Sequence, residues 1–138
     1  GYFSIPIAKH SKAGKIYAIE INPNSYLYLL ENLRLNAVKN VIPILGDSRF
    51  VTPEEVADRV IMGHINCHEF IGVAIRALKG EGSIHYHETV PLRVKDRPVK
   101  RLRRAAESLG KKIKILNFRK VKNYSPGVIH AVVDGYVW

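Results

Sequence analysis

A chain of 138 residues, 46% hydrophobic and 25% charged, is long enough for one sizeable core, too short for a second domain and too apolar for a disordered tail. Its 22 Lys and Arg against 12 Asp and Glu leave a net charge of +10, which calls for a polyanionic partner. The lone Cys67 excludes an internal disulfide framework and a CxxC motif, no apolar run approaches the roughly 20 residues of a bilayer span, and the first ten residues lack the basic and apolar regions of a cleavable signal. A cytoplasmic protein that is neither exported nor membrane-spanning is expected.

Residues 1–9 read as the end of a glycine turn and the helix after it, with no strand in front of them. Lys15-Ile-Tyr-Ala-Ile-Glu20 is a short strand, and Asn22-Pro-Asn-Ser25 then supplies turn and helix-capping chemistry. Tyr26, Leu29, Leu30 and Leu33 fall at helical spacing within 26–36. Strands follow at 41–45, closed by Gly46-Asp47, and at 58–63. A helix is expected over 67–79, ending at Gly80, then a strand at 83–87 and a strongly basic helix over 97–109. Strands at 113–121 and 128–133, separated by a short loop with Ser125-Pro-Gly127, are read as an antiparallel hairpin. Strand alternating with helix argues for a parallel α/β sheet covered on both faces. The first strand of such a doubly wound sheet is missing here. It would lie mid-sheet, so its two neighbours should keep unpaired backbone groups. The chain, residues 1–138, is therefore read as a single domain and the C-terminal part of a longer polypeptide.

The charge is unevenly placed. Residues 1–92 carry nine basic and nine acidic side chains, whereas 93–122 carry thirteen basic residues against Asp96 and Glu107, and 123–138 add only Asp134. The whole excess belongs to one late segment. Its basic helix face, with Lys100, Arg101, Arg103 and Arg104, is either a solvated surface or an RNA contact.

In open α/β sheets, ligands sit at the carboxyl ends of the strands. Three features mark such ends here: Gly1, Glu20 and Gly46-Asp47-Ser48. A carboxylate in the position of Glu20 suits a ribose diol, because both hydroxyls can donate to it, and Asp47 can accept from an adenine amine. The competing reading makes both acids solvated helix caps, and no complete GxGxxG is present. His85 and His87 share one strand face and could suit a metal with His68, but a defined third ligand is missing, so strand-end hydrogen bonding competes with it and no metal is expected. Cys67 has no base placed beside it by the sequence. His64 and Glu69 could touch substrate or collect a proton, or serve as surface and capping groups.

The order of elements resembles the S-adenosylmethionine-dependent class I methyltransferase fold, a Rossmann-like sheet closed by a C-terminal hairpin. Asp58-Arg-Val-Ile-Met-Gly63, His68-Glu-Phe70, Ile84-His-Tyr-His-Glu-Thr-Val90, Tyr124-Ser-Pro-Gly-Val-Ile-His130 and Val132-Val-Asp134 are similar to the archaeal tRNA 4-demethylwyosine aminocarboxypropyltransferases of wyosine biosynthesis. Relatives that methylate guanosine N1 beside the anticodon share Asp-Arg-Val-Ile-Met but continue with Asn-Leu-Pro where this chain has Gly63-His64-Ile65. The resemblance implies S-adenosylmethionine as group donor, tRNA as partner and no metal. It also implies that Gly1 and Phe3 line the cofactor's turn, Glu20 and Ile21 hold the ribose side, Asp47 and Ser48 flank the adenine, and Gly63 opens space beside the sulfonium. Two further readings stay open: a tRNA guanosine-N1 methyltransferase, and a basic RNA-binding module without catalysis.

Overall fold

A computed structural model describes all residues from Gly1 to Trp138, which gather into two compact units, Gly1–Thr52 and Pro53–Trp138. The first contains α1 (Ser4–His10), β1 (Ile16–Glu20), α2 (Pro23–Leu35), β2 (Val41–Leu45) and the single turn α3 (Ser48–Val51). β1 and β2 run parallel in a two-stranded sheet, with Glu20 opposite Leu45, so both strands present their carboxyl ends at the same edge.

α2 begins three residues earlier than the apolar spacing predicts. Asn22 Oδ1 accepts from the Asn24 and Ser25 amides at 2.9 and 3.2 Å, and Pro23 occupies a position where no amide donor is needed. Leu29 and Leu33, four apart, are buried with Ala18 and Val41, whereas Leu30 lies off that stripe and is partly exposed. The helix stops because Ala37 turns left-handed (φ 51°), which lets the Val38 amide donate to Leu33 O and the Ala37 amide to Arg34 O.

The second unit contains β3 (Ala57–Met62), α4 (Ile71–Ala77), β4 (Leu78–Pro91), α5 (Arg97–Ser108), β5 (Ile113–Ser125) and β6 (Val128–Val137), with 3-10 turns at His68–Phe70 and Leu92–Val94. The sheet order is β3-β4-β6-β5; β3 and β4 are parallel, and the other pairings are antiparallel. β1 and β2 each have one strand neighbour in their sheet, and β3 and β5 are the two edges of theirs.

The expected helix over 67–79 is corrected in two ways. Its first turn is 3-10, and it ends at Ala77, where buried Leu78 already opens β4. The physical reason follows in the sequence: Gly80 (φ 82°) and Gly82 (φ 159°) loop out of β4, and the pairing with β3 jumps from Ala57↔Leu78 to Arg59↔Ser83. The hairpin is as expected but longer at both ends, because Pro126 and Gly127 alone make its turn and Ser125 already pairs with Val128.

The core of this unit lies on one sheet face. Ile71, Ala74 and Ile75 of α4 and Leu102 and Ala106 of α5 pack with Ile84, Tyr86, Val133 and Val137. β4 obeys strict alternation there: Ile84, Tyr86, Glu88 and Val90 are buried while His85, His87 and Thr89 point to the other face. None of the helices is long and apolar enough to cross a membrane.

A side chain at Gly82 would place its first carbon 2.4 Å from Asp58 O and 2.7 Å from a Leu78 methyl. Gly82→Ala should therefore destabilise the protein by about 1–3 kcal/mol through backbone displacement at the β3–β4 junction. Gly80→Ala meets no atom there and serves as control for the loss of left-handed freedom alone; urea denaturation of both variants makes the comparison.

Candidate functional site

At the strand ends of the first unit, Glu20 and Gly46 are joined by a hydrogen bond from the Gly46 amide to Glu20 O at 2.9 Å. Gly46 sits at φ 152°, and a β-carbon there would meet Val51 at 2.7 Å, so the chain turns here only with glycine. Glu20 is half-buried, and its carboxylate accepts one hydrogen bond, from the Asn22 amide to Oε1 at 3.0 Å. Oε2 keeps its full acceptor capacity, as a ribose diol requires. Ile21 is 65% exposed beside it.

Asp47 is more committed than the sequence suggests. It caps α3 by accepting from the Arg49 amide at 2.9 Å, and the Arg49 guanidinium grips both oxygens, Nη2 to Oδ2 at 2.6 Å. The adjacent guanidinium holds the carboxyl below its usual range. Ser48 opens α3, and its carbonyl accepts from Thr52 Oγ1 at 2.6 Å. Gly1 O accepts from the Ile5 amide at 3.2 Å, and a β-carbon on Gly1 would lie 3.0 Å from Ile5 and 3.2 Å from Leu29. Phe3 precedes α1 and packs edge-to-face on Tyr2 at 5.1 Å.

In the second unit, Gly63 follows β3 and is exposed. His64 Nδ1 accepts from the Asn66 amide at 3.1 Å, so in the neutral ring Nε2 carries the proton. His64 can thus donate a hydrogen bond but is poorly set to take a proton. Glu69, on the 3-10 turn, is exposed and makes no ion pair or hydrogen bond within the protein, so its carboxylate is available as a proton acceptor.

The histidines are not gathered around a common point. His85 Nδ1 pairs with Asp134 Oδ1 at 2.6 Å across β4 and β6, and His87 Nδ1 meets His130 Nε2 at 3.0 Å, while His68 is exposed on its turn. No group of three His, Cys, Asp or Glu side chains is arranged to hold a metal ion. Burial, then the neighbouring His130 and Arg119, keeps His87 below the ordinary imidazole range; burial and Lys122 do the same to His130. Both rings are therefore neutral near pH 7, one donating to the other.

Sequence reasoning gave Glu88 no role, yet it is the chain's buried charged side chain, 2% exposed. Tyr86 Oη donates to Oε2 at 2.5 Å, and Arg97 Nε and Arg101 Nη1 donate to Oε1 at 2.6 and 2.7 Å. The readable signal was an acid on the apolar phase of a strand, followed by two arginines four apart on a helix. Arg101, expected to face RNA, thus spends part of its guanidinium internally. Lys100 pairs with Asp96 at 2.6 Å on the surface, and Arg103 and Arg104 are exposed.

Cys67 is buried, its Sγ donating to Met62 O and His87 O at 3.7 and 3.6 Å, and burial pushes the thiol up to about 11. At pH 8 only on the order of a thousandth of it is thiolate, so it is no nucleophile. Iodoacetamide at pH 8 should label the folded protein far more slowly than the same protein in denaturant; equal rates would show an accessible thiolate.

Against known proteins, residues 1–116 match the TRM5/TYW2 methyltransferase domain. The tRNA(Phe) (4-demethylwyosine(37)-C(7)) aminocarboxypropyltransferase of Methanocaldococcus jannaschii is 52% identical over 136 residues, which is 97% of this chain and 55% of that protein. The crystal structure of M. jannaschii TYW2 in complex with AdoMet is similar with a TM-score of 0.96 at 50% identity, covering 99% of this chain and 64% of that one. That of Pyrococcus horikoshii TYW2 in complex with MeSAdo is similar with a TM-score of 0.94 at 39% identity, covering 100% and 53%. The chain spans about half the length of the curated relatives it matches. Its α/β architecture is that of the class I S-adenosylmethionine-dependent methyltransferases, and with glycine-bound turns and an acid at the ends of its parallel strands, the chain belongs to the TRM5/TYW2 methyltransferase domain family.

Proposed function

We propose that this chain carries the site that transfers the 3-amino-3-carboxypropyl group of S-adenosylmethionine to a tricyclic modified guanosine beside the anticodon of tRNA-Phe, releasing methylthioadenosine. The observation that carries the reading is Glu20, a carboxylate at a parallel strand end with one oxygen fixed by the Asn22 amide and the other kept as an acceptor. Two solved relatives support it, one a complex with AdoMet and the other with MeSAdo. The residues fit an adenosyl group. Glu20 supplies acceptors for the ribose hydroxyls, Ile21 an exposed apolar surface, and Gly1 a position where a β-carbon would crowd the Ile5 and Leu29 side chains. Phe3, Asp47 and Ser48 complete the set in the first unit, Asp47 once Arg49 yields it.

When bound, the cofactor would supply an electrophilic carbon on a sulfonium, whose C–S bond breaks to release neutral methylthioadenosine, chemistry that needs no metal. What the chain must then do is position and collect a proton. In the second unit, Gly63 leaves the end of β3 free of side chain, His64 offers a donor at Nε2, and Glu69 is the better proton acceptor of the two. The exposed cations of α5 would bind the tRNA backbone, positioning the RNA without reading its sequence. The cytoplasm, where tRNA and a reduced cysteine coexist, is part of the same proposal.

Glu20→Ala should lower S-adenosylmethionine affinity about ten- to a hundredfold, the equivalent of about 1.5–3 kcal/mol for lost hydrogen bonds to a charged acceptor. Calorimetry that found unchanged affinity would remove Glu20 from the site. The choice of transferred group is tested separately, because Gly63-His64-Ile65 stands where the methylating relatives carry Asn-Leu-Pro. Incubating the full-length protein with precursor-bearing tRNA should yield methylthioadenosine by mass spectrometry; S-adenosylhomocysteine as sole by-product would make the chain a methyltransferase instead.

A further inference from the structure

The buried carboxylate of Glu88 touches nothing that the proposed transfer uses, but it has a consequence at the surface of α5. It holds Arg97 and Arg101 side by side, one helical turn apart, by Nε of the first and Nη1 of the second. Arg97 Nη2 is also fixed, on Thr89 O at 2.9 Å. Both guanidinium groups are thus locked in place while Arg97 Nη1 and Arg101 Nη2 keep free donors. Beside them lies a hollow of about 310 Å³ lined by Val94, Asp96, Arg97, Lys100, Arg101 and Arg104. Arg104 has no acceptor within the protein, and Lys100 has only Asp96. Four cations against Asp96 and Glu88 leave an excess of two positive charges around this one hollow.

We propose that this hollow is a phosphate-binding site that takes one backbone phosphate of the tRNA, a proposal that rests on the tRNA reading above. The two guanidinium groups already fixed by a buried acid can turn their remaining donors to phosphate oxygens and lose little freedom on binding. A scaffold that only tethered α5 would need Glu88, Arg97 and Arg101; it would not need Arg104 at the rim of the hollow.

The test uses inorganic phosphate and tRNA as separate probes on the full-length protein. Arg104→Ala and the double variant Lys100→Ala/Arg104→Ala leave the Glu88 cluster intact, so folding and S-adenosylmethionine affinity should not change. Wild type should bind inorganic phosphate saturably by calorimetry, with sulfate competing, and the double variant should bind it at least about tenfold more weakly, as lost charge-assisted hydrogen bonds imply. In parallel, the log–log salt slope for tRNA should fall by roughly 0.7–0.9 for each phosphate contact removed. Absence of saturable phosphate binding, or an unchanged affinity in the double variant, overturns the site. Phosphate binding lost with an unchanged tRNA slope overturns RNA as its source and leaves a site for free phosphate. Wild-type protein that binds phosphate but no tRNA overturns the tRNA reading itself, and with it the RNA phosphate as ligand.

Discussion

A carboxylate taken out of water must be met by donors, and the arrangement around Glu88 is how the second unit meets that demand. Its partners come from its own strand (Tyr86) and from α5 (Arg97 and Arg101). Because the two arginines are four apart, the acid selects one rotation of α5 on the sheet. That rotation turns Pro98, Leu102 and Ala106 inward and leaves Lys100, Arg103 and Arg104 to solvent. Replacing such a cluster by apolar groups is often neutral for stability, so its value here is the orientation it enforces. The core packs well only in that orientation, and the surface cations are displayed only by it. Packing and electrostatics are therefore two readouts of one ion cluster.

Local signals in the sequence were reliable where the physics is local. Asn22-Pro23 announces a helix start, and Ser125-Pro-Gly127 announces a tight turn between strands. Both are found, because capping and turn geometry depend on residues within a few positions of each other. Glu20 and Gly46-Asp47 could be placed at strand ends for the same reason. What was not legible depended on partners distant in the chain. The helix over 67–79 could not be seen to stop at Ala77, since the glycines that loop out of β4 are read only against β3. Nor could Arg101 be distinguished from Arg103 and Arg104: all three are arginines on one basic helix, and only the strand thirteen residues upstream of Arg101 says which of them is engaged.

The concentration of charge in one segment also serves the fold. β5 is an edge strand of its sheet and is exposed along most of its length, with Leu116, Val121 and Tyr124 open to solvent. An apolar edge of this length invites pairing with another chain. Lys114, Arg119, Lys120 and Lys122, spread along the same strand, oppose that pairing by repulsion between like edges. The same cations would attract a polyanion, since the repulsion applies to a second copy of the strand and not to a phosphate backbone. One set of charges thus guards the edge and biases the partner.

Asp47 shows where a folded site and a working site differ. Alone, its oxygens are saturated by Arg49, an arrangement that satisfies the carboxylate and caps α3. Arg49 is itself half exposed and lies 5.7 Å from the ring of Phe50, so its guanidinium has water and an aromatic face within reach if it leaves the acid. Exposed ion pairs contribute little because water competes for both partners. An adenine amine arriving at Asp47 would therefore replace a weak interaction, while the backbone hydrogen bond from the Arg49 amide to the carboxylate could persist and keep α3 capped. The Glu20 carboxylate has no such rival: its only hydrogen bond is from the Asn22 amide, and its remaining acceptors need no rearrangement. On this argument the ribose side of the proposed site is preorganised and the base side is exchangeable, so recognition of the adenosyl group should rest more on Glu20 than on Asp47.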